Sequence, residues 1–427
     1  MERSSALNND KQFVWHPFTQ MQTAPEPLHI VRALGTKLFD SDGKSYIDAN
    51  SSWWVNVHGH GHPHLAAALS EQFQQVDHII FAGATHDSAI RLAKRVVDLL
   101  PQELTKVFFS DDGSTAVEVA LKMAFQYWFN RGENRKRVIA LEGAYHGDTF
   151  GAMSVGARDV FNKPFEPFFF EVEFLDFPTT KNAHELLHQA EKLLKSGEVA
   201  ALIVEPLIQG SSGMRMYPIA FLDQLVSLCK KYGALVIFDE VMTGWGRTGR
   251  MFALNYTEQV PDMVCLSKGL TGGVLPLGLT VTTDQIYEAF LHDETARAFL
   301  HGHSFTGSAL ACAAANASLD LFEEQDTWEA IERIEEQHLV FAQRLKKLEK
   351  VSGIGVCGTI MRFEINADDS GYFSGKRDQI YQHMLDRGVL LRPLGNVIYI
   401  NPPYCITNEE LNKIYFVIDS LLEKDQF

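Results

Sequence analysis

The chain has 427 residues, 46% of them hydrophobic and 22% charged, an ordinary globular balance with length for two or three domains and a core that needs no disulfide or metal. Its formal net charge of −16 opposes nucleic acid and anionic membrane surfaces, while small anionic ligands stay open because local cations can still build a site. Cys229, Cys265, Cys312, Cys357 and Cys405 form no CxxC pair, which predicts reduced, buried thiols rather than a disulfide or zinc framework.

The opening MERSSALNND is polar, without the apolar stretch of a secretory signal, and no later run is long enough to span a bilayer. A cytoplasmic protein is expected. Residues 36–49, TKLFDSDGKSYIDA, read as strand–turn–strand with Asp42-Gly43 at the turn. From about residue 65, helical patterns alternate with the strand-length apolar runs 106–109, 137–141, 201–205, 234–238 and 262–266. Such alternation predicts an α/β fold with a mostly parallel sheet, whose ligands gather at the carboxyl ends of the strands. A long helical stretch over 308–350 leads to a smaller C-terminal domain with strands near 355–364 and 389–400 and a last helix near 407–423. The expected division is an N-terminal segment 1–55 packing with the small domain, a large domain 56–325 and a small domain 326–427.

Four strand ends carry groups with chemical potential. After FFSDD, Gly113 and Ser114 open a helix whose N–H groups and positive dipole end suit an anion, with Ser114 or Thr115 adding a hydroxyl; a plainly capped helix is the alternative. Tyr145 follows the run RVIAL between Gly143 and Gly147, placed to stack on a flat ring, or else to pack in a loop beside a surface His146. Asp239 ends the apolar run ALVIF. A carboxylate there needs a cationic partner, which a protonated ring nitrogen of a cofactor would supply; Arg247 is the structural alternative, and the adjacent Glu240 competes with Asp239. Lys268 follows DMVCL and precedes a glycine-rich turn. Desolvation lowers the pKa of such a lysine and makes it a nucleophile for carbonyls; a lysine snorkelling from a strand end is the alternative. His58, His60, His62 and His64 have the look of a metal cluster, but their glycine and proline spacing points to a turn.

The order Gly-Ser, Tyr-His-Gly, Asp-Glu with Gly-Arg-Thr-Gly, then Ser-Lys-Gly resembles the class III pyridoxal 5′-phosphate-dependent aminotransferases of fold type I, over nearly the whole chain. FDEVMTGWGRTG followed by LSKGLTGG is its most specific part. The resemblance implies a large domain on a mostly parallel seven-stranded sheet plus a smaller α+β domain. It implies that Lys268 carries the cofactor, Asp239 pairs with its ring nitrogen, Tyr145 stacks on the ring, and Gly113 and Ser114 hold the phosphate. Ser304 would reach the phosphate site of a neighbouring copy, so a homodimer is implied.

WHPFTQM at 15–21, SSWWVNVHGHGHP at 51–63 and LRPLGNVIY at 391–399 narrow the likeness to the branch that aminates 8-amino-7-oxononanoate, with S-adenosylmethionine as the usual donor. There the substrate site would include Phe18, Trp53, Tyr145, Asp148, Lys268, Gly302, Arg392 for a carboxylate, and Tyr399. Family members acting on ornithine, 4-aminobutyrate or a polyamine are the rival readings, and a non-catalytic cofactor-binding protein is a more remote one. The sequence departs from common patterns at Met242, where many members have Gln, at His303-Ser304, where Pro-Thr is more usual, and at Phe18, where Tyr is familiar.

Overall fold

A computed structural model describes residues 3–366 and 375–423. Its main sheet has seven strands, numbered here along the chain: β1 Leu104–Ser110, β2 Arg137–Leu141, β3 Val172–Leu175, β4 Val199–Val204, β5 Leu235–Asp239, β6 Met263–Leu266 and β7 Gly278–Thr283. Their order is β1-β7-β6-β5-β4-β2-β3. All neighbours are parallel except that β7 runs against both β1 and β6. Every residue of β4, β5 and β6 is buried, because helices cover both faces; that is why these strands read as unbroken apolar runs rather than alternating ones. The five apolar runs of the sequence fall on β1, β2, β4, β5 and β6. The strands β3 and β7 lacked that signature: β3 is short and mostly half-buried, and β7 carries threonines at 280, 282 and 283.

The stretch 308–350 is two helices, Ala309–Phe322 and Gln325–Leu345. Ser308 caps the first, its side chain accepting from Ala311 N–H. The chain turns at Glu323 and Glu324, and the extended backbone of Glu324 opens the second.

The predicted strand–turn–strand is the hairpin of Lys37–Asp40 and Ser45–Asp48, with Gly43 at φ +81° in the turn. It shares a four-stranded sheet with Ile30–Leu34 and with Val389–Leu390, which pairs parallel to Ser45–Asp48. A second small sheet joins Val351–Cys357, Ile360–Ile365 and Val397–Ile400. The helix Asn408–Leu422 follows, opened by a capping box between Thr407 and Glu410. Cys229, Cys265 and Cys312 are buried and Cys357 is half-buried; Cys405, expected to be buried, is exposed.

Candidate active site

A cavity of about 600 Å³ opens at the carboxyl ends of β1, β2, β4, β5 and β6, walled by Phe18, Trp53, Gly113, Ser114, Tyr145, Asp148, Asp239, Lys268, Arg392 and Tyr399 among others. Gly302 and Ser304 lie on an exposed loop and do not line it. The site therefore collects residues separated by more than 370 positions.

At the end of β1, the helix Gly113–Asn130 begins with a capping box. Asp112 accepts from Thr115 N–H at 2.8 Å, and Thr115 Oγ1 accepts from Asp112 N–H at 3.0 Å. Asp112 is the cap, so Ser114 is left facing the cavity, whereas the Thr115 hydroxyl considered for an anion is occupied in the cap. Gly113 is required by packing: a Cβ there would lie 2.6 Å from Val241 Cγ1. The loop after β2 approaches just as closely, since a Cβ on Gly147 would lie 2.0 Å from Ser114 Oγ.

Asp239 and Glu240 take opposite roles, as neighbours at a strand end face opposite ways. Asp239 Oδ2 lies 2.7 Å from His146 Nδ1, and its Oδ1 accepts from Val241 N–H at 3.0 Å. Glu240 turns away from the cavity, accepting from Thr243 Oγ1 at 2.5 Å, Ala253 N–H at 2.9 Å and Leu254 N–H at 2.6 Å. Burial pushes its carboxyl up to about 7. Arg247 is not the partner of Asp239, because it donates to the carbonyls of Pro402 and Trp54. His146, considered as a surface residue, is buried, and among the described residues its Nε2 has no hydrogen-bond partner. Nothing local marked it, because its partner is 93 residues away.

Glu205 was also missed, although it follows the apolar strand β4 just as Asp239 closes β5, and that was the available signal. It is buried, accepts from Tyr145 N–H at 3.0 Å and Gly210 N–H at 2.8 Å, and burial pushes its carboxyl up to about 7 against the opposing pull of His146. Tyr145 itself donates its hydroxyl to Asp148 at 3.1 Å, and burial raises its phenol pKa.

Lys268 lies two residues beyond β6 at φ +47°. A non-glycine residue in that region costs of order 1–3 kcal/mol and persists only where the surroundings enforce it. Its pKa is lowered by burial, with Asp239 and Glu205 pulling the other way. Its Nζ sits 5.0 Å from the Trp54 ring.

The opposite wall is the segment Ser51–Trp54, whose four residues have φ of 49°, 46°, 73° and 75°. It is a left-handed turn without a glycine, at roughly 1–2 kcal/mol per residue. Trp54 is buried and donates Nε1–H to Tyr399 Oη at 3.0 Å. Trp53 projects into the cavity, edge-on to Phe18 at 5.3 Å and beneath the Arg392 guanidinium at 5.3 Å. Phe18 also meets Phe161 edge-on at 6.1 Å.

The class III aminotransferase model matches residues 19–422. The chain belongs to the class III aminotransferases. It is 48% identical over 419 residues to the adenosylmethionine-8-amino-7-oxononanoate aminotransferase of Synechococcus elongatus, covering 96% of this chain and 98% of that one. It is 40% identical to the same-named protein of Geobacter sulfurreducens, covering 96% and 95%. The crystal structure of the Methanocaldococcus jannaschii protein of that name superposes with a TM-score of 0.92 at 37% identity, over 98% and 99% of the two chains. A PLP-bound amine transaminase from an uncultivated Pseudomonas species superposes with a TM-score of 0.89 at 30% identity, over 95% and 97%. The fold is that of the PLP-dependent transaminases.

The residues present fit this family's cofactor, pyridoxal 5′-phosphate. One cavity holds a helix start whose cap engages Thr115 rather than Gly113 and Ser114, a carboxylate braced by a buried histidine, an aromatic ring and a desolvated amine. The histidine run lies elsewhere, and each member has its own partner. His58 Nε2 meets Ser318, His60 Nε2 meets Asp48, His62 caps a helix and His64 meets Asp320. Among the described residues no group of three or more His, Cys, Asp or Glu is arranged to hold a metal.

Proposed function

We propose that this aminotransferase converts 8-amino-7-oxononanoate to 7,8-diaminononanoate in biotin biosynthesis, with S-adenosylmethionine as amino donor and a ping-pong order of half-reactions. The observation that carries the reading is the wall opposite Lys268: three aromatic rings, Phe18, Trp53 and Phe161, with the Arg392 guanidinium over Trp53. An alkyl chain ending in a carboxylate needs an apolar channel and a cation at one end, and Arg can meet both carboxylate oxygens. The relatives named above support the same substrate.

Pyridoxal 5′-phosphate, when bound, supplies the carbonyl that captures the donor's amine and the conjugated ring that spreads the electron pair left at the donor's carbon. Gly113 and Ser114 would hold its phosphate, Tyr145 would stack on its ring and Asp239, oriented by His146, would face its ring nitrogen. Lys268 Nζ would carry the cofactor and, once displaced, take up and return the proton at the substrate carbon. Its lowered pKa suits that work, because more of the amine is unprotonated at neutral pH. Trp53 and Tyr399 would wall the substrate, Arg392 would bind its carboxylate, and Asp148 would sit near its amino group. The exposed placement of Gly302 and Ser304 supports a homodimer in which this loop serves the neighbouring copy's site.

We further propose the division 1–55, 56–325 and 326–427, with residues 1–2, 367–374 and 424–427 of it outside the described residues. The pairing of Ser45–Asp48 with Val389–Leu390 supports it. A cytoplasmic location is part of the same reading; among the described residues no helix is long and apolar enough to cross a membrane.

The test is product detection by mass spectrometry with 8-amino-7-oxononanoate and, in turn, S-adenosylmethionine, lysine, ornithine and 4-aminobutyrate. Diaminononanoate is expected with S-adenosylmethionine. Its formation only with lysine would change the donor. Amino transfer from ornithine or 4-aminobutyrate to other acceptors, with no diaminononanoate, would overturn the substrate.

A further inference from the structure

Two histidines of the run 58–64 bond toward the strained backbone at Lys268 and toward the left-handed turn Ser51–Trp54, yet neither lines the cavity. The peptide groups around Lys268 are held on both sides. Trp245 Nε1–H donates to Ser267 O at 3.0 Å, and Ser318 Oγ donates to Gly269 O at 3.3 Å. Ser318 has one proton, and His58 Nε2 lies 3.0 Å from its oxygen. With His58 Nε2–H donating, the serine proton is directed to Gly269. His58 is buried with its ring 4.7 Å from Phe322, and burial keeps it a neutral imidazole, its pKa near 3.

The turn Ser51–Trp54 depends on Asp48, which is buried. Its Oδ1 accepts from Ser52 N–H at 3.0 Å and its Oδ2 from Ser52 Oγ at 2.7 Å. His60 Nε2 reaches the same Oδ2 at 2.9 Å. Asn56 Nδ2 donates to His60 Nδ1 at 3.2 Å, which leaves the imidazole proton on Nε2, aimed at Asp48.

We propose that His58 and His60 are positioning residues for catalysis, bracing through Ser318 and Asp48 the strained backbone at Lys268 and the left-handed turn Ser51–Trp54, which together bring Lys268 and Trp54 to 5.0 Å. The inference rests on the reading of Lys268 as the cofactor-bearing lysine. Neither histidine lines the cavity, and each acts through one hydrogen bond on a backbone that would otherwise relax. Loss of one such bond is expected to cost up to about tenfold in the function that it positions.

The experiment measures three things on each variant: melting temperature, the rate at which the cofactor-free protein captures pyridoxal phosphate at Lys268 (fixed with borohydride and mapped by peptide), and kcat and KM. Ser318→Ala and His58→Phe should each slow capture by about tenfold and lower kcat with little change in KM, since each loosens the backbone at Lys268, and wild-type capture and kinetics in a folded His58→Phe variant overturn the role of His58. His60→Phe should raise KM by about tenfold by releasing the turn that carries Trp53, while His60→Gln, whose amide can still donate to Asp48, should restore most of it. If His60→Phe does not fold, Ser52→Ala takes its place with the same expectation. Wild-type capture and kinetics in a folded Ser318→Ala variant, or wild-type KM in a folded His60→Phe or Ser52→Ala variant, overturn the bracing of that turn. So does a lowered melting temperature with unchanged rate constants. An adduct found on another lysine in the unmutated protein instead overturns the assignment of Lys268, a separate result.

Discussion

Asp239 and Lys268 stand at the ends of neighbouring parallel strands, β5 and β6, whereas Trp53 and Trp54 stand on a left-handed turn held by Asp48, Asn50 and Ser51. Asn50 Nδ2 donates to Tyr399 O at 3.0 Å and Ser51 Oγ to Asn401 O at 2.8 Å, so the turn is tied to the far end of the chain. On the sheet wall, the ladder sets the strand ends, and only Lys268, two residues beyond β6, depends on bonds from outside the sheet, those of Trp245 and Ser318 to its flanking peptides. On the turn wall, geometry depends on a few bonds between distant residues, and the strain they offset is several kcal/mol. In the proposed function the first wall carries chemistry and the second carries fit. Substitutions on the first should change rates at nearly constant stability; those on the second should change substrate affinity.

The largest break on the sheet wall is Lys268→Ala. Turnover should vanish, while the cofactor-free protein melts no lower than the unmutated one, since a desolvated amine has been removed; calorimetry beside the activity assay checks both. Asp239→Asn should lower kcat by at least about a hundredfold, the scale of a well-placed electrostatic group. A near-normal rate would shift the role to Glu205, because Glu240 faces away from the cavity.

Glu240 separates structural from chemical carboxylates on that same wall. Its folded pKa, about 7, is raised by burial above the ordinary value of 4.5. Below pH 4.5 it is protonated in both states and costs nothing. As pH rises through 7 the folded state must ionise a buried group, so its contribution to stability is lost. Glu240→Gln cannot titrate, and the loss of stability between pH 4.5 and 8 should shrink by roughly 2–3 kcal/mol, measured by urea unfolding. An unchanged pH dependence would place the buried charge elsewhere.

Two positions probe the fit wall. Arg392→Ala should weaken both half-reactions by about 2 kcal/mol, because in the proposed function donor and acceptor carboxylates take turns there. Single-turnover data in which only one half-reaction suffers would mean that the carboxylates bind apart. The smallest effect is expected from Phe18→Tyr. A neutral hydrogen bond is worth about 0.5–1.5 kcal/mol, so kcat/KM should change by less than about tenfold, whereas Phe18→Ala removes part of the wall and should do worse. A lowered melting temperature with untouched kinetics in Phe18→Tyr would make the ring a packing element only.

The sequence by itself determined what depends on neighbours along the chain. Apolar runs of strand length located five of the seven main strands, and polar groups placed directly after those runs pointed to Gly113, Tyr145, Asp239 and Lys268. These are local signals, since a buried parallel strand must be apolar and its carboxyl end must open on the ligand. Tertiary structure decided what depends on partners far away. His146 finds its hydrogen-bond partner in Asp239, 93 residues on, and His58 in Ser318, 260 residues on. Whether Asp239 or Glu240 faces the cavity was settled by strand geometry and by the amides of Ala253 and Leu254. The four left-handed residues Ser51–Trp54 contain no glycine to announce them. Their conformation costs energy locally and exists because hydrogen bonds to Asp48, Tyr399 and Asn401 repay it, and no local sequence signal carries the geometry of those bonds.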